Sequence, residues 1–405
     1  MENATQTDTP DAPLSPETGN APAPLRVAFI SCNYNYIFDG AAMSQNRLVA
    51  HLLEHGHEVM IFAATGKAPA FEHAGTVTPV PSVRLPGKRG EYRIGLGLTA
   101  QSRARLDAFG PDLIHIATPD YTGLTALSYA DRRRIPVVSS FHTRFDTYPR
   151  YYGAAWLEKY VTRYMRWFYR RCVHVYPPVP PTLDELAREG IGRELRLWRR
   201  GVDHALFNPE RRDMAWRRGL GFVDDDVVVA FVGRLVLEKG IDIFADAVRL
   251  TAQEAPKLRA LIVGDGPERA RFEARLPEGV FIGHQSGADL ARAYANADIF
   301  FNPSISETAG NVTLEAMACA LPCLVAGPIG FVRDGETGLL AGQEATAADY
   351  ASKLVQLAGD PASRAAMGAA GHARALSEHH WPTILDEVID HYRDAIRSYH
   401  GDRGS

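Results

Sequence analysis

From Leu25 onward the chain alternates short apolar runs with longer amphipathic stretches, and after about residue 208 the alternation starts again. The first run, LRVAFISCN, is apolar throughout, as expected of a strand buried on both faces of a parallel sheet. A loop, YNYIFDGAA, and a helix from about Ala42 to Glu54 lead to the strand HEVMIFAAT. A helix near Thr99 to Phe109, the strand DLIHIAT, a helix near Tyr121 to Arg133, the strand PVVSSFHT, a long helix near Ala154 to Cys172, VHVYPP and a helix near Pro181 to Ile191 complete the first series. Strands separated by helices at this spacing predict a doubly wound parallel sheet.

The stretch WRRGVDHALFN, Trp198 to Asn208, reads as the end of one domain and its linker. The second series has strands at Val227 to Val232, LRALIVG, VFIGH, IFFNPS, PCLVAG and TGLLA. Its helices fall near Ile241 to Ala255, Glu268 to Leu276, Ala288 to Asn296 and Val312 to Ala320, and three more close the chain near Ala345 to Ala358, Pro361 to Ser377 and Trp381 to Tyr399. The expected fold class is therefore α/β, with two Rossmann-like doubly wound parallel-sheet domains facing across a cleft. We expect a disordered tail over 1–24, a first domain over 25–200 joined by the C-terminal helix 381–399, and a second domain over 201–380. Ligands of such sheets bind outside the carboxyl ends of the strands.

Composition narrows the function. The net charge of −4 argues against a nucleic-acid partner, yet from Arg132 to Arg200 there are 15 Lys and Arg against 6 Asp and Glu. The four cysteines, Cys32, Cys172, Cys319 and Cys323, lack metal-ligand spacing and read as reduced thiols of a cytosolic protein. No run approaches the roughly 18 apolar residues that span a bilayer. The first 24 residues have neither the basic start nor the apolar core of a signal peptide.

Between Asn302 and Cys323 an apolar strand passes through a small-residue loop into an Ala-rich helix. The first N–H groups of such a helix point outward and favour an anion. Glu307 and Glu315 bracket Thr308, Gly310, Asn311, Val312 and Thr313. Carboxylates accept sugar hydroxyls, so a nucleotide sugar suits this segment, whereas the bland alternative is two solvated carboxylates beside a helix start. Arg234 and Lys239, in GRLVLEKG between Gly233 and Gly240, follow a strand end and can converge on a diphosphate; otherwise they belong to a solvated loop. A diphosphate that leaves gains charge as its bond breaks, so donors around it lower the barrier. The sequence Gly264, Asp265, Gly266, Pro267, Glu268, Arg269 lacks the third glycine of a dinucleotide fingerprint, which argues against a nicotinamide enzyme. Asp224 to Asp226, the D-x-D of the chain, reads as a solvated polar turn ahead of a strand and not a cation site. In AAWLEKYVTRYMRWFYRRC, Trp156, Tyr160, Tyr164 and Trp167 or Phe168 recur at helical spacing beside Lys159, Arg163, Arg166, Arg170 and Arg171. Either the helix docks on anionic lipid, or the aromatics are core and the arginines a solvated rim.

The wording ETAGNVTLEAMAC, with its E-x7-E pair, resembles the large retaining family of GT-B glycosyltransferases, and G-R-x4-K-G resembles that family's phosphate-binding pair. WRRGVD, FVGRLVLEKG and GNVTLEAMACALP look most like its GDP-mannose-dependent α-mannosyltransferases and its UDP-sugar glycolipid synthases. The resemblance implies an acceptor-binding first domain, a donor-binding second domain, and transfer with retention and without a metal or other cofactor. It implies that Glu307 holds the donor sugar hydroxyls, Glu315 the ribose hydroxyls, and the N–H groups of Gly310, Asn311 and Val312 face phosphate or sugar. His142, in F-H-T, then contacts the donor sugar or shapes the reactive face, and Arg234 and Lys239 take the diphosphate. Asp39, Gly40 and Ala41 occupy the loop where the family carries a glycine pair; Ala41 departs from it. The partners implied are GDP-mannose or a UDP-sugar, a lipid or lipid-linked acceptor, and an anionic membrane surface approached from the cytoplasm. A GT-B epimerase or phosphorylase, and a non-catalytic sugar- or lipid-binding module, are the rival functions.

Overall fold

A computed structural model describes residues 23–32, 34–37, 40–84, 93–141, 155–304, 310–327, 330–342 and 344–401. The tail over 1–24 falls almost wholly outside them. The first sheet carries β1 (Arg26–Ser31), β2 (Glu58–Ala64), β3 (Val77–Val80), β6 (Leu113–Ile116), β7 (Val137–Ser140), β8 (His174–Tyr176) and β9 (Glu194–Leu195), while β4 (Ser82–Arg84) and β5 (Arg93–Gly95) form a separate antiparallel pair. The second sheet carries β10 (Val227–Val232), β11 (Leu258–Val263), β12 (Val280–Gly283), β13 (Ile299–Asn302), β14 (Cys323–Val325) and β15 (Gly338–Leu340). Helices α1 (Gly40–Glu54), α2 (Ala100–Phe109), α3 (Tyr121–Arg133), α4 (Glu158–Tyr169) and α5 (Pro180–Glu189) serve the first sheet. The chain continues with α6 (Met214–Gly219), α7 (Ile241–Leu250), α8 (Arg269–Arg275), α9 (Gly287–Ala295), α10 (Asn311–Ala318), α11 (Ala347–Gly359), α12 (Pro361–Glu378) and α13 (Trp381–Gly401).

All pairings in both large sheets are parallel. Their orders are β3-β2-β1-β6-β7-β8-β9 and β12-β11-β10-β13-β14-β15, one doubly wound plan used twice. The chain reverses direction across the sheet between β1 and β6 and again between β10 and β13, which opens a crevice at each carboxyl edge. Apolar layers cover both faces of each sheet. The central strands are mostly apolar for this reason, with Val27–Ile30, Ile61–Ala64 and Val227–Phe231 buried position after position and no wet face to alternate toward. Helix ends follow local chemistry: Thr99 caps α2, and Gly110 closes it in the left-handed region at φ 59°.

The last helix returns to the first sheet. Ile384, Leu385, Val388, Ile389 and Tyr392 of α13 share one apolar layer with Val27 and Phe29 of β1. Burying an aliphatic side chain stabilises by about 1.5–3 kcal/mol. Half-exposed pairs such as Arg199–Glu387 and Arg196–Asp394 contribute at most about 1 kcal/mol. The apolar seam therefore fixes where α13 lies. At its centre His115 of β6 bonds the Tyr392 hydroxyl and, at 2.5 Å, Ser140 Oγ, and burial pushes its imidazole down to about 3, so it is neutral.

Three sequence expectations differ in detail. The long helix begins as a 3₁₀ turn at Ala155–Leu157, and α4 proper ends at Tyr169. The helix expected to reach Ala255 stops at Leu250. The strands β3, β4, β5 and β9 and the short helix α6 were not expected; β3 holds Pro79, which an edge strand tolerates because its outer N–H has no ladder partner.

Candidate active site

The loop after β10 is built from its glycines. Gly233 (φ 155°) and Gly264 (φ 141°) lie so close that a Cβ on Gly264 would sit 1.9 Å from the Gly233 carbonyl oxygen. A Cβ on Gly266 would sit 2.3 Å from the Leu235 carbonyl oxygen. Backbone bonds lock the contact: Leu235 N–H donates to Asp265 at 3.0 Å and Glu268 N–H to Leu235 at 3.1 Å. Leu235 is buried, which leaves Arg234 exposed beside it. The loop closes through a 3₁₀ turn, Leu237–Lys239, into Gly240 at φ 73°.

Gly240 seats this loop on the next one. A Cβ there would meet Pro303, directly after β13, at 2.9 Å, and Ser304 Oγ donates to the Glu238 carbonyl at 3.4 Å. The cation loop and the β13–α10 connection, more than sixty positions apart in sequence, thus touch at the carboxyl edge of the second sheet. Gly310 (φ 59°) turns the chain into α10, and among the described residues no side chain caps that helix. Its opening N–H groups and the positive end of its dipole face the crevice.

The first sheet meets α10 from across the cleft. Gly40, which opens α1, approaches so near that a Cβ on it would lie 2.6 Å from Asn311 Nδ2. Two helix N-termini from opposite sheets therefore abut, which concentrates positive potential at one spot. A turn further on, Glu315 Oε2 accepts from the buried Tyr294 hydroxyl at 3.0 Å. Arg47 of α1 feels Glu315 and lies 3.9 Å from Asp203; burial lowers its guanidinium below the ordinary value and the two carboxylates oppose that.

Of the sequence candidates, Gly233, Arg234, Lys239, Gly310, Asn311, Val312 and Glu315 lie on the second sheet's carboxyl side, with Gly40 and Ala41 opposite. Asp39, His142, Glu307 and Thr308 lie outside the described residues; Phe141, just before His142, is buried at the end of β7. Asp224 to Asp226 precede β10 at its amino end, the edge away from the crevice. Asp224 pairs with Arg218 at 2.6 Å, Asp225 with Lys257 at 3.1 Å, and Asp226 accepts from the Val223 N–H at 2.8 Å.

Four residues went unnoticed in the sequence. Tyr294 fixes Glu315, Arg200 and Ser44 support α1, and Asp120 caps α3 at the carboxyl end of β6, where burial pushes its carboxyl up to about 6. Only Asp120 carried a signal, the Asp-x-x-Gly start of a helix. The aromatics in and just before α4 divide between core and surface. Met165, Phe168 and Tyr169 are buried, whereas Trp156, Tyr160 and Trp167 are 67%, 56% and 46% exposed. Lys159 lies over the Tyr160 ring and Arg171 over Trp167, at 5.0 and 5.1 Å. Among the described residues no helix is long and apolar enough to cross a membrane.

Known proteins carry the same plan. Residues 38–206 match the model of Glycosyltransferase Family 4, and residues 226–360 that of Glycosyl transferases group 1. A GDP-mannose-dependent alpha-mannosyltransferase of Mycolicibacterium smegmatis is 32% identical over 380 residues, 92% of this chain and 98% of the relative. An alpha-monoglucosyldiacylglycerol synthase of Acholeplasma laidlawii is 25% identical over 78% of this chain and 84% of the relative. The solved sucrose-phosphate synthase of Thermosynechococcus elongatus superposes with a TM-score of 0.71 over 92% of this chain and 100% of that one, at 20% identity. With mannosyltransferase relatives matching over 92% of its length and GT-B neighbours in fold, the chain belongs to the same glycosyltransferase family as those GDP-mannose-dependent relatives, with a family 4 domain followed by a group 1 domain, and is an enzyme that moves a hexose from a nucleotide sugar.

Proposed function

We propose that the hexose is mannose, carried by GDP-mannose, and that it passes with retention of configuration and without a metal or other cofactor to a hydroxyl of a lipid or lipid-linked acceptor. The observation that carries this reading is the meeting at Gly40 and Asn311 of two helix N-termini, beside a cation loop seated on Pro303. Arg234 and Lys239 take the diphosphate, and the N–H groups of Gly310, Asn311 and Val312 add to its neutralisation. Glu307 and Thr308 hold the donor sugar. Glu315, steadied by Tyr294, accepts from the ribose hydroxyls. His142 shapes the reactive face, and Asp39, Gly40 and Ala41 line the approach of acceptor or phosphate.

Transfer then occurs on one face of the sugar. The bond from the anomeric carbon to the phosphate oxygen breaks while the acceptor oxygen bonds to that carbon, and the acceptor's proton passes to the departing phosphate oxygen. The GDP-mannose relatives support the donor, and the diacylglycerol synthase supports a lipid acceptor. The first lobe, 25–200 with helix 381–399, takes the acceptor; the second, 201–380, takes the donor. The exposed aromatics and cations of α4 suit a cytoplasmic enzyme docked peripherally on anionic lipid.

The test is a panel of GDP- and UDP-sugars, each with and without a membrane lipid extract, read for nucleoside diphosphate and for glycosylated lipid. Mannolipid from GDP-mannose is the expected product. A UDP-sugar as the sole donor would reassign the enzyme to the glycolipid synthases, and interconversion of the nucleotide sugar with no acceptor product would make it an epimerase.

A further inference from the structure

Arg200 is only 2% exposed. A buried guanidinium is costly unless its fixed geometry is used, and here the residue is held twice, once by its side chain and once by its backbone. Arg200 Nη1 donates to Ser44 Oγ in the first turns of α1, and Ser44 Oγ donates to the Gly40 carbonyl at 2.9 Å. Gly40 is the residue pressed against Asn311. The path from Arg200 to the crevice thus crosses two hydrogen bonds and one contact.

The Arg200 backbone belongs to the connection between the lobes. Its carbonyl accepts from His379 Nδ1 at 2.7 Å, which fixes the tautomer because a carbonyl can only accept. Val202 N–H donates to the His379 carbonyl at 2.9 Å, and Val202 bridges His380. Gly201 lies flat on the Trp381 indole, where a Cβ would come within 2.6 Å of the ring. Both strands that join the lobes, the linker at 200–202 and the return at 379–381, are therefore paired where Arg200 sits. On the outer side of α1, Arg47 repeats the coupling through Asp203 and a stack on Trp381 at 5.2 Å.

We propose that Arg200 is a positioning residue that gears the opening of α1 to the inter-lobe connection, so that Gly40 faces Asn311 in register when the lobes close on the donor. It touches neither sugar nor phosphate. The proposal rests on the glycosyltransferase site assigned above, and its consequences separate from that assignment. Nucleotide binding belongs to the second lobe and does not pass through Arg200, whereas turnover needs both lobes.

The test uses the full-length enzyme and the variants Arg200→Lys, Arg200→Gln and Ser44→Ala, the last removing the link without touching the buried charge. Three readouts are needed: GDP affinity by calorimetry, steady-state release of GDP from GDP-mannose, and hydrogen exchange of the amides in the first turns of α1. The expected result for Ser44→Ala and Arg200→Gln is a kcat about tenfold to a hundredfold lower. GDP affinity stays within about twofold, and exchange rises in α1 alone. Arg200→Lys keeps the charge but not the fork, and falls between. Equal loss of kcat and GDP affinity together with a lowered Tm would make Arg200 merely structural and overturn the proposal. So would folded variants with unchanged exchange and turnover. If the wild-type enzyme binds GDP but turns over no donor, the functional assignment fails, and the exchange experiment still decides the link.

Discussion

The two sheets use one strand order, but the crevices at their carboxyl edges are built differently. In the second, backbone packs on backbone, with Gly264 on Gly233 and Gly266 on Leu235, and Gly240 sits on the Pro303 ring and carbonyl. In the first, one glycine does this, Gly123 on the Thr118 carbonyl, and side chains make the other joints: Asp120 caps α3, the Tyr164 hydroxyl donates to the Pro119 carbonyl at 2.9 Å, and Arg200 reaches Ser44. A backbone cradle suits what every nucleotide-sugar donor shares, its diphosphate. A crevice jointed by side chains can change its acceptor without a change of fold, because side chains are replaced one at a time.

The comparison breaks first at Gly264. An alanine there meets a carbonyl that belongs to backbone, so Gly264→Ala is expected to cost about 3 kcal/mol in urea unfolding and to abolish nucleotide binding. Ala41→Gly, on the side-chain-built edge, is expected to cost under about 1 kcal/mol. Equal costs would erase the distinction between the two edges.

Next in size is the surface of the first lobe. Replacing Trp156 and Trp167 together with serine should lower partitioning onto vesicles of anionic phospholipid by roughly a hundredfold. The fold should be unaffected, since both rings face solvent. Undiminished partitioning would remove α4 from the docking surface.

Acid should then separate the lobes. Burial lowers the imidazoles of His57, His115, His174 and His391 around the first sheet, and of His204 and His379 at the linker. A lowered folded value means that the unfolded chain binds the proton first. Stability is therefore complete above the unfolded value of 6.5 and falls below it, for His115 down to about 3. His115 alone costs about 1.4 kcal/mol per pH unit in that window, and the other five act in the same direction. Asp120 acts in the opposite sense between about 6 and 3.8, regaining stability as it protonates. Hydrogen exchange at pH 5 against pH 7.5 should show the first sheet loosening before the second; uniform loosening would contradict the assignment of neutral histidines to the first lobe. The smallest effect is expected at Asp224→Asn, where transfer stays within about twofold of wild type with or without a chelator.

The legible parts of the molecule were those whose chemistry is local. Strands buried on both faces are continuous apolar words, and Arg234, Lys239 and Gly240 lie within one short loop, so a single window contains the signal. Arg200 was illegible for the opposite reason. Arg193, Arg196, Arg199 and Arg200 follow one another in the same basic zone, and only tertiary packing sends Arg199 to Glu387 at the surface and Arg200 into the interior. The neighbours Trp167 and Phe168 fit helical spacing equally well, yet Phe168 is buried and Trp167 is not, because the sheet lies on one side only. Edge strand β3, with Pro79 inside it, lacks the apolar continuity that marked the central strands.

The central claim is that the cation loop and the α10 N-terminus form one diphosphate site facing the first lobe. The most direct test is the steady-state release of GDP from GDP-mannose by the Arg234→Ala, Lys239→Ala double variant, with Tm recorded beside it. The account predicts a loss of about a thousandfold or more with Tm within about 2 °C of wild type. Turnover within about tenfold of wild type, in a folded protein, would contradict it.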